Sequence, residues 1–148
     1  MYIFKTLREN WTGVIKYQKH AFRDKPKTPW HRGEIALISM KKGLKFVKQI
    51  QYIMKIKEFR HAPDEVEQYW PGTGKKWPWL ADLYDSMRLK LPFDMKDILE
   101  LDSAKHYGRG AQFYQKIRDT DEPYIMEHLK KNGFSGRYGL EFISKFSR

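Results

Sequence analysis

The sequence predicts an α+β fold, a small curved antiparallel β-barrel with short helices packed around it. Three observations lead to this prediction. Long runs of β-forming residues alternate in hydrophobicity, short turns containing glycine or proline join them, and the apolar residues at helical spacing form only short segments. Consecutive strands joined by short turns are antiparallel, and a very long strand usually bends to serve two sides of a barrel.

The predicted strands differ in length and follow one another closely. They cover residues 2–7, 34–40, 44–59, 80–91 and 111–117. Helical turns are predicted over 11–22 and 64–69, and further short helices after Asp94 and Thr120. Asn10, Asp94 and Thr120 precede these helices and are the side chains expected to cap them.

Length and composition limit the class of protein. A chain of 148 residues is most simply one domain with one hydrophobic core. Cysteine is absent, which excludes a disulfide framework, a thiolate zinc site and a cysteine nucleophile. No apolar run approaches the roughly 20 residues of a membrane span, and the N-terminus lacks a signal-peptide pattern. We therefore expect a cytoplasmic protein that does not contact a membrane.

The positive charge is concentrated in the first part of the chain. Residues 1–60 contain 15 Lys and Arg against 4 Asp and Glu, whereas residues 61–148 contain 14 of each. This asymmetry is typical of a protein that binds a phosphate backbone. A generally charged surface of the kind found in thermophiles is the alternative, and it fits the balanced second part better than the first.

The segment Trp70–Trp79 is the most unusual stretch of the sequence. It contains three of the five tryptophans together with two prolines, two glycines and two lysines. Proline and glycine favour a rigid turn, aromatic rings stack on bases, and lysines pair with phosphates. The alternative is that these rings belong to a core and that the lysines are merely solvated.

This segment, the glycine-rich residues 105–110 and the connection 8–32 together predict a base-stacking pocket surrounded by phosphate contacts. The rings expected nearest a base are Trp11, Trp30, Trp77 and Tyr107. The cations expected on the nucleic-acid backbone are Lys16, Lys19, Arg23, Lys25, Lys27, Arg32, Lys41, Lys42 and Arg109.

Catalytic and metal-binding motifs are weak by comparison. The fragment 72–76 fails as a phosphate loop because Tyr69 replaces the first glycine and Lys76 replaces the magnesium-binding hydroxyl. The histidines are not at metal-ligand spacing. A metal-dependent nuclease built from Asp64, Asp94 and Lys96 stays open as an alternative. We expect no cofactor, no bound metal and no catalytic residue.

The order of these features resembles the EVE domain of the PUA-like superfamily, which is related to the YTH readers of modified bases. The matching pieces are Glu9-Asn10-Trp11 after the first strand, 33–38, Tyr69-Trp70-Pro71-Gly72, Trp77-Pro78-Trp79, Leu91-Pro92-Phe93 and Gly108-Arg109-Gly110. The resemblance implies an EVE/PUA-like nucleic-acid-binding domain over 1–133. Residues 134–148 would then be an edge element or a linker toward a downstream domain.

The resemblance also implies a function. Domains of this kind stand at the N-terminus of McrB-type restriction motors, where they flip a methylated base into an aromatic pocket. By this resemblance Trp30 would be the cage tryptophan and Trp11 the first wall of the pocket. The expected partners are DNA, an NTPase motor in the same polypeptide and a nuclease, and RNA is the alternative ligand.

Overall fold

The computed structural model of the chain describes residues 1–42, 45–108 and 114–133, and for residues 8, 40–42, 45–48 and 132–133 it describes only the backbone. The strands are β1 (Tyr2–Leu7), β2 (Lys19–Phe22), β3 (Ile35–Lys42), β4 (Lys45–His61), β5 (Trp79–Asp94) and β6 (Tyr114–Lys116). The helices are α1 (Trp11–Tyr17), α2 (Pro63–Tyr69), α3 (Leu101–His106) and α4 (Glu122–His128). Single 3₁₀ or π turns occupy Arg8–Asn10, Met95–Asp97 and Leu129–Gly133.

The strands form one six-stranded sheet in the order β2-β5-β4-β3-β1-β6. The predicted α+β class and the curved sheet are confirmed, but the closed antiparallel barrel is wrong in two respects. β1 and β3 are parallel, because the connection between them crosses over through α1 and β2. Within residues 1–42, 45–108 and 114–133 the edge strands β2 and β6 do not pair, so the described sheet is not closed by backbone hydrogen bonds.

The sheet nevertheless curls until β1 faces β2. Four strand spacings separate these two strands in the sheet order, which would be roughly 19 Å in a flat sheet. Yet Thr6 Oγ1 lies 3.1 Å from His20 Nε2, and the rings of Phe4 and Phe22 are 4.9 Å apart. The concave face of the sheet therefore encloses a core, and a seam runs between β2 on one side and β1 and β6 on the other.

Side chains close one end of this seam. The rings of Phe22 and Tyr114 meet edge to face at 5.2 Å, and the Tyr114 hydroxyl donates to the Lys25 carbonyl across 3.2 Å. These contacts join β2 and the loop after it to β6 without a strand ladder.

The long strands bend as predicted, and the bends have identifiable positions. The pairing of β4 with β5 shifts register at three points, one of them around Asp85, whose φ of 51° is in the left-handed region. Gln18, with a φ of 51°, ends α1 and turns the chain into β2. Its side-chain oxygen accepts from the Ser86 backbone, so this turn is attached to the bent part of β5.

Both faces of the sheet are covered, and alternate residues of β1 and β3 enter different cores. The inner core, on the concave face, contains Phe4, Ala36, Ile38 and Met54 and is capped by α1 and α2. The outer core contains residues of opposite parity and the side chains of α3 and α4. Its members from the strands include Ile3, Ile35, Leu37, Ile50 and Ile53.

The helix boundaries differ from the prediction near residue 19 and at the caps. Residues 19–22 form a strand rather than the end of a helix, because His20 and Phe22 pack into the inner core. The Asp94 side chain caps the turn after β5 as predicted. Asn10 makes no side-chain cap hydrogen bond, and Asp121 rather than Thr120 occupies the N-cap of α4. No helix in the described ranges is long and apolar enough to cross a membrane.

Asp82 ties together β2, β4 and β5 on the surface near α2. Its carboxylate accepts from Arg60 Nε and from Lys19 Nζ, each at 2.5 Å, and Arg60 also donates to Glu65 on α2. Burial by itself would raise the pKa of Asp82, but the hydrogen bonds from Arg60 and Lys19 outweigh it and lower the pKa to about 2 from 3.8. The cluster therefore stabilises the fold as long as Asp82 is ionised.

An Asp82→Asn variant should be less stable at pH 7 by about 1 kcal/mol, a figure discounted because Arg60 is partly exposed. Because the folded-state pKa is depressed, the contribution of Asp82 is complete above pH 3.8 and is lost as the pH falls toward 2. Urea melts at a series of pH values should show a steeper acid loss in the parent than in the variant. Asp119→Asn, on the exposed loop before α4, is the control, and equal slopes for parent and Asp82→Asn would contradict the assignment.

Candidate nucleic-acid interface

A small cavity lies in the seam where β1 faces β2, and no residue of β6 lines it. It is lined by Thr6, Leu7, Asn10, Val14, His20, Ala21, Trp70 and Trp77. The free space among these side chains is about 10 Å³, room for about one water molecule. The cavity is therefore too small for a base as it stands, but its walls are aromatic and its floor is polar.

The floor is a hydrogen-bonded pair from the two facing strands. The Ala21 carbonyl can only accept and lies 3.1 Å from His20 Nδ1; it outweighs the Lys5 carbonyl as a partner of the ring, so we assign the hydrogen to Nδ1. His20 Nε2 is then an acceptor, and the Thr6 hydroxyl donates to it across 3.1 Å. Burial lowers the pKa of His20 to about 4 from 6.5, so the imidazole is neutral at pH 7.

Trp70 forms the buried wall of the cavity, and a glycine on α1 makes room for it. The indole is 9% exposed and packs in the inner core. A Cβ atom added at Gly13 would lie 2.8 Å from Trp70 Nε1, closer than carbon and nitrogen approach without a shift. Gly13 thus allows the ring to lie directly against the helix.

The segment 70–78, which we call the tryptophan loop, is held to α2 by one carboxylate. Glu67 accepts from the backbone N–H groups of Gly72 and Gly74 at 2.8 and 2.7 Å, and these bonds lower the pKa of Glu67 below its ordinary value of 4.5. Gly74 packs so closely that an added Cβ would lie 2.2 Å from the Pro63 carbonyl oxygen. The loop is therefore a fixed part of the site, consistent with the rigid turn predicted from its sequence.

Trp77 is the outer wall of the cavity, and the two lysines of the tryptophan loop, Lys75 and Lys76, directly precede it in the chain. Its indole is partly buried against the inner core, whereas Lys75 and Lys76 are exposed. Lys76 Nζ lies 5.7 Å from the centre of the Trp77 ring. An aromatic wall with an adjacent ammonium group suits a stacked base next to a phosphate.

The structure brings one of the four predicted base-pocket rings, Trp77, to this cavity. Trp11 packs on Tyr52 at 5.7 Å, and Trp30 packs on Phe59 at 4.9 Å, both at the margin of the inner core rather than in the cavity lining.

Tyr107 is separated from the cavity by the sheet. It is buried in the outer core, where its hydroxyl donates to Asp121 at 2.5 Å and accepts from the Arg118 N–H at 3.0 Å. Burial and the Asp121 carboxylate raise the pKa of Tyr107 to about 12. Tyr107 therefore does not share a pocket with the tryptophans.

Some of the cations predicted to contact the nucleic-acid backbone are exposed, and one is paired with a carboxylate. Lys16, Arg23, Lys25, Lys27 and Arg32 are exposed, with Lys25 over the Trp79 ring at 5.7 Å and Arg32 over the Tyr84 ring at 5.9 Å. Lys19 is instead paired with Asp82.

The remaining predicted cations, Lys41, Lys42 and Arg109, are described in part or not at all. The backbone of Lys41 pairs with Leu7 at the cavity, but the side chains of Lys41 and Lys42 are not described, and Arg109 lies outside the described residues. Their predicted phosphate contacts stay predictions.

Reading the sequence did not identify Thr6, His20, Asn10 or Trp70 as site residues. Thr6 and His20 are strand residues that meet only because the sheet curls, and no local pattern shows this. Asn10 was expected to cap α1, but it lines the cavity instead.

The residues of the alternative nuclease do not form one site. Asp64 lies near the start of α2, at the end of β5 that begins with Trp79, whereas Asp94 is the last residue of β5. The Asp94 side chain accepts from the Lys96 backbone as a cap. In the described ranges no group of three or more His, Cys, Asp or Glu side chains is placed to hold a metal ion.

Neither the known protein-family models nor the curated proteins contain a match to this sequence. Solved structures do match. The crystal structure of ASCH from Zymomonas mobilis is 11% identical over 85% of this chain and 93% of its own, with a TM-score of 0.57. A variant of that protein with one tyrosine changed to phenylalanine gives a TM-score of 0.59 at 12% identity, over 85% and 96% of the two chains.

The chain has an ASCH-like fold. The likeness supports the predicted curved sheet with helices packed around it, and the PUA-like superfamily stays a prediction. The assignment to EVE domains in particular, and to an McrB-type system, stays a prediction.

Removal of the Glu67 carboxylate should loosen the tryptophan loop. In Glu67→Ala the N–H groups of Gly72 and Gly74 lose their acceptor, so acrylamide should quench tryptophan fluorescence more strongly than in the parent. In the parent, quenching should rise as the pH falls through the lowered pKa of Glu67, because protonation weakens the same bonds. Glu127→Ala on α4 is the control, and unchanged quenching in Glu67→Ala would contradict the role of this residue.

A Gly13→Ala variant tests how tightly Trp70 lies against α1. In an open helix interior this change would stabilise the protein by about 1 kcal/mol. Here the added methyl group meets the Trp70 indole, and overpacking of this kind costs about 1 to 3 kcal/mol. Thermal melting should therefore give a lower Tm for Gly13→Ala, whereas Thr12→Ala, on the exposed side of the same helix, should leave it nearly unchanged. A higher Tm for Gly13→Ala would show that the indole does not lie there.

Proposed function

We propose that this chain binds nucleic acid along the open seam and takes one base into the cavity between Trp70 and Trp77. One observation carries the proposal: two indoles enclose a cavity with a hydrogen-bonding floor, at the place where the curled sheet is not closed. Stacking surfaces combined with a few placed polar groups are what a pocket for an extruded base requires.

Entry of a base requires the cavity to widen, since its free space holds about one water molecule. Trp77 is the wall that moves in this proposal. Trp70 is buried against Gly13, and its backbone carbonyl accepts from the Thr73 hydroxyl at 2.6 Å. The Trp77 indole is only partly buried, and its outward rotation leaves the inner core intact.

The phosphate backbone has a path beside this cavity. A groove of about 370 Å³ follows the same seam toward its other end, between the loop after β2 and strand β6. Lys27 is exposed on one side of the groove, whereas Lys116, on the other side, is committed to Glu34, and Asp24 also lines the groove. With Lys75 and Lys76 at the cavity, cations lie at both ends of the seam, as a bound strand would need.

The resemblance to EVE domains supports a narrower proposal. The ligand is DNA that carries a methylated base, and the chain directs an McrB-type motor to it, with the NTPase and nuclease activities located elsewhere. The chain itself is not an enzyme in this proposal, and RNA binding is the alternative outcome of the test.

Trp77→Ala should weaken binding to nucleic acid by about 5- to 150-fold, because stacking contributes about 1 to 3 kcal/mol per base. Trp30→Ala removes an indole of similar burial that packs on Phe59 outside the cavity, and it should change binding little. Filter binding with methylated duplex DNA, unmodified duplex DNA and single-stranded RNA, at several salt concentrations, measures both variants.

In the same assay Lys76→Gln should weaken binding to every nucleic acid alike and reduce the salt slope by about one unit. Equal weakening by the two tryptophan variants would move the site to the neighbourhood of Trp30. The absence of binding to any nucleic acid would overturn the proposed function, and equal binding of methylated and plain DNA would overturn only its narrower form.

A further inference from the structure

The cavity floor contains a hydroxyl group whose hydrogen is already used. The Ala21 carbonyl lies 3.1 Å from His20 Nδ1 and outweighs the Lys5 carbonyl as a partner of the ring, so we assign the hydrogen to Nδ1. With this assignment Thr6 donates its only hydrogen to His20 Nε2. Thr6 Oγ1 therefore presents only a lone pair to the cavity. At this point the floor accepts hydrogen bonds and does not donate them.

A base that enters the cavity reaches the floor with a particular atom first. The base hangs from the sugar by its glycosidic bond, so the edge opposite that bond penetrates deepest. In a pyrimidine this edge carries the group at C4, and in a purine the group at C6. Cytosine and adenine have an amino group there, whereas thymine, uracil and guanine have a carbonyl oxygen.

We propose that Thr6, oriented by His20, makes the cavity selective for bases with an amino group at this position, namely cytosine, adenine and their derivatives that keep one N–H there. This inference rests on the proposed function. The amino group donates to Thr6 Oγ1, whereas a carbonyl oxygen would face the lone pairs of the Thr6 oxygen without a hydrogen between them. Asn10 also lines the cavity, but its carboxamide can present either its oxygen or its nitrogen, so it does not discriminate.

His20 is a positioning residue in this proposal. Its ring stacks on Phe22 at 4.4 Å and 16° and contacts Phe4 at 5.5 Å, so the imidazole cannot turn to exchange its two nitrogens without repacking the inner core. Burial keeps the ring neutral at pH 7. The direction of the Thr6 hydroxyl therefore follows from the hydrogen assigned to His20 Nδ1.

The test uses duplex oligonucleotides in which one base stands opposite an abasic site, so that extrusion of this base costs little. The probes carry adenine, cytosine, guanine or thymine at that position, together with purine and 2-pyrimidinone, which lack the amino group. Fluorescence anisotropy at one salt concentration gives the dissociation constants. Adenine and cytosine should bind at least about 10-fold more tightly than the other four, since a site built around a hydrogen bond rejects ligands that cannot form it.

Two variants at one position separate the hydroxyl from the shape of the cavity. Thr6→Val keeps the shape and should abolish the preference while leaving thymine binding nearly unchanged, whereas Thr6→Ser should retain the preference. Ser39→Ala, which removes another buried hydroxyl that donates to the Phe4 carbonyl, is the matched control and should also retain it. Thermal melts confirm that each variant is folded.

The outcomes distinguish this inference from the proposed function. If no probe binds, both fail. If the probes bind equally, if purine binds as tightly as adenine, or if the preference survives Thr6→Val, the selectivity is not set by Thr6, and the proposed function stands without it. The comparison of adenine with purine needs no variant, so an unfolded Thr6→Val protein would not protect the inference.

Discussion

The seam between β2 and the strands β1 and β6 is the constraint on which the rest of the structure depends. A sheet of this length curls far enough for its edges to meet, but no backbone hydrogen bonds close it in the part of the chain that the structure describes. The gap must be filled by side chains, since an open seam would let water into the inner core. Phe22 and Tyr114 fill one end, and the tryptophan loop fills the other. The cavity at this place therefore results from the way the sheet is left open.

Filling a gap with a loop requires the loop to be held in place. Glu67 holds the backbone of Gly72 and Gly74, and Gly13 removes the steric barrier to the Trp70 indole. The same contacts give the cavity two walls of different burial, a buried Trp70 and a partly buried Trp77. In the proposed function the first wall stays in place while the second makes room for a ligand.

Local patterns in the sequence predicted the strands, the turns and the character of the tryptophan loop, because these follow from backbone preferences and alternating hydrophobicity. They did not predict the parallel pairing of β1 with β3, since the strand 19–22 is short and had been assigned to a helix. Thr6 and His20 meet because the sheet curls. Tyr107 lies apart from the site because it packs in the outer core. Contacts between strands that are distant in the sequence, and the face of the sheet on which a side chain packs, produce no local pattern in a single sequence.

Fluorine NMR of protein labelled with 5-fluorotryptophan, titrated with a duplex containing one unpaired base, tests the account most directly. The chain has five tryptophans, so single Trp→Phe variants assign every resonance. If the seam is the binding site, the resonances of Trp70 and Trp77 should shift most, with a larger change for the mobile Trp77. Shifts confined to Trp11 or Trp30, with Trp70 and Trp77 unaffected at saturation, would contradict the account.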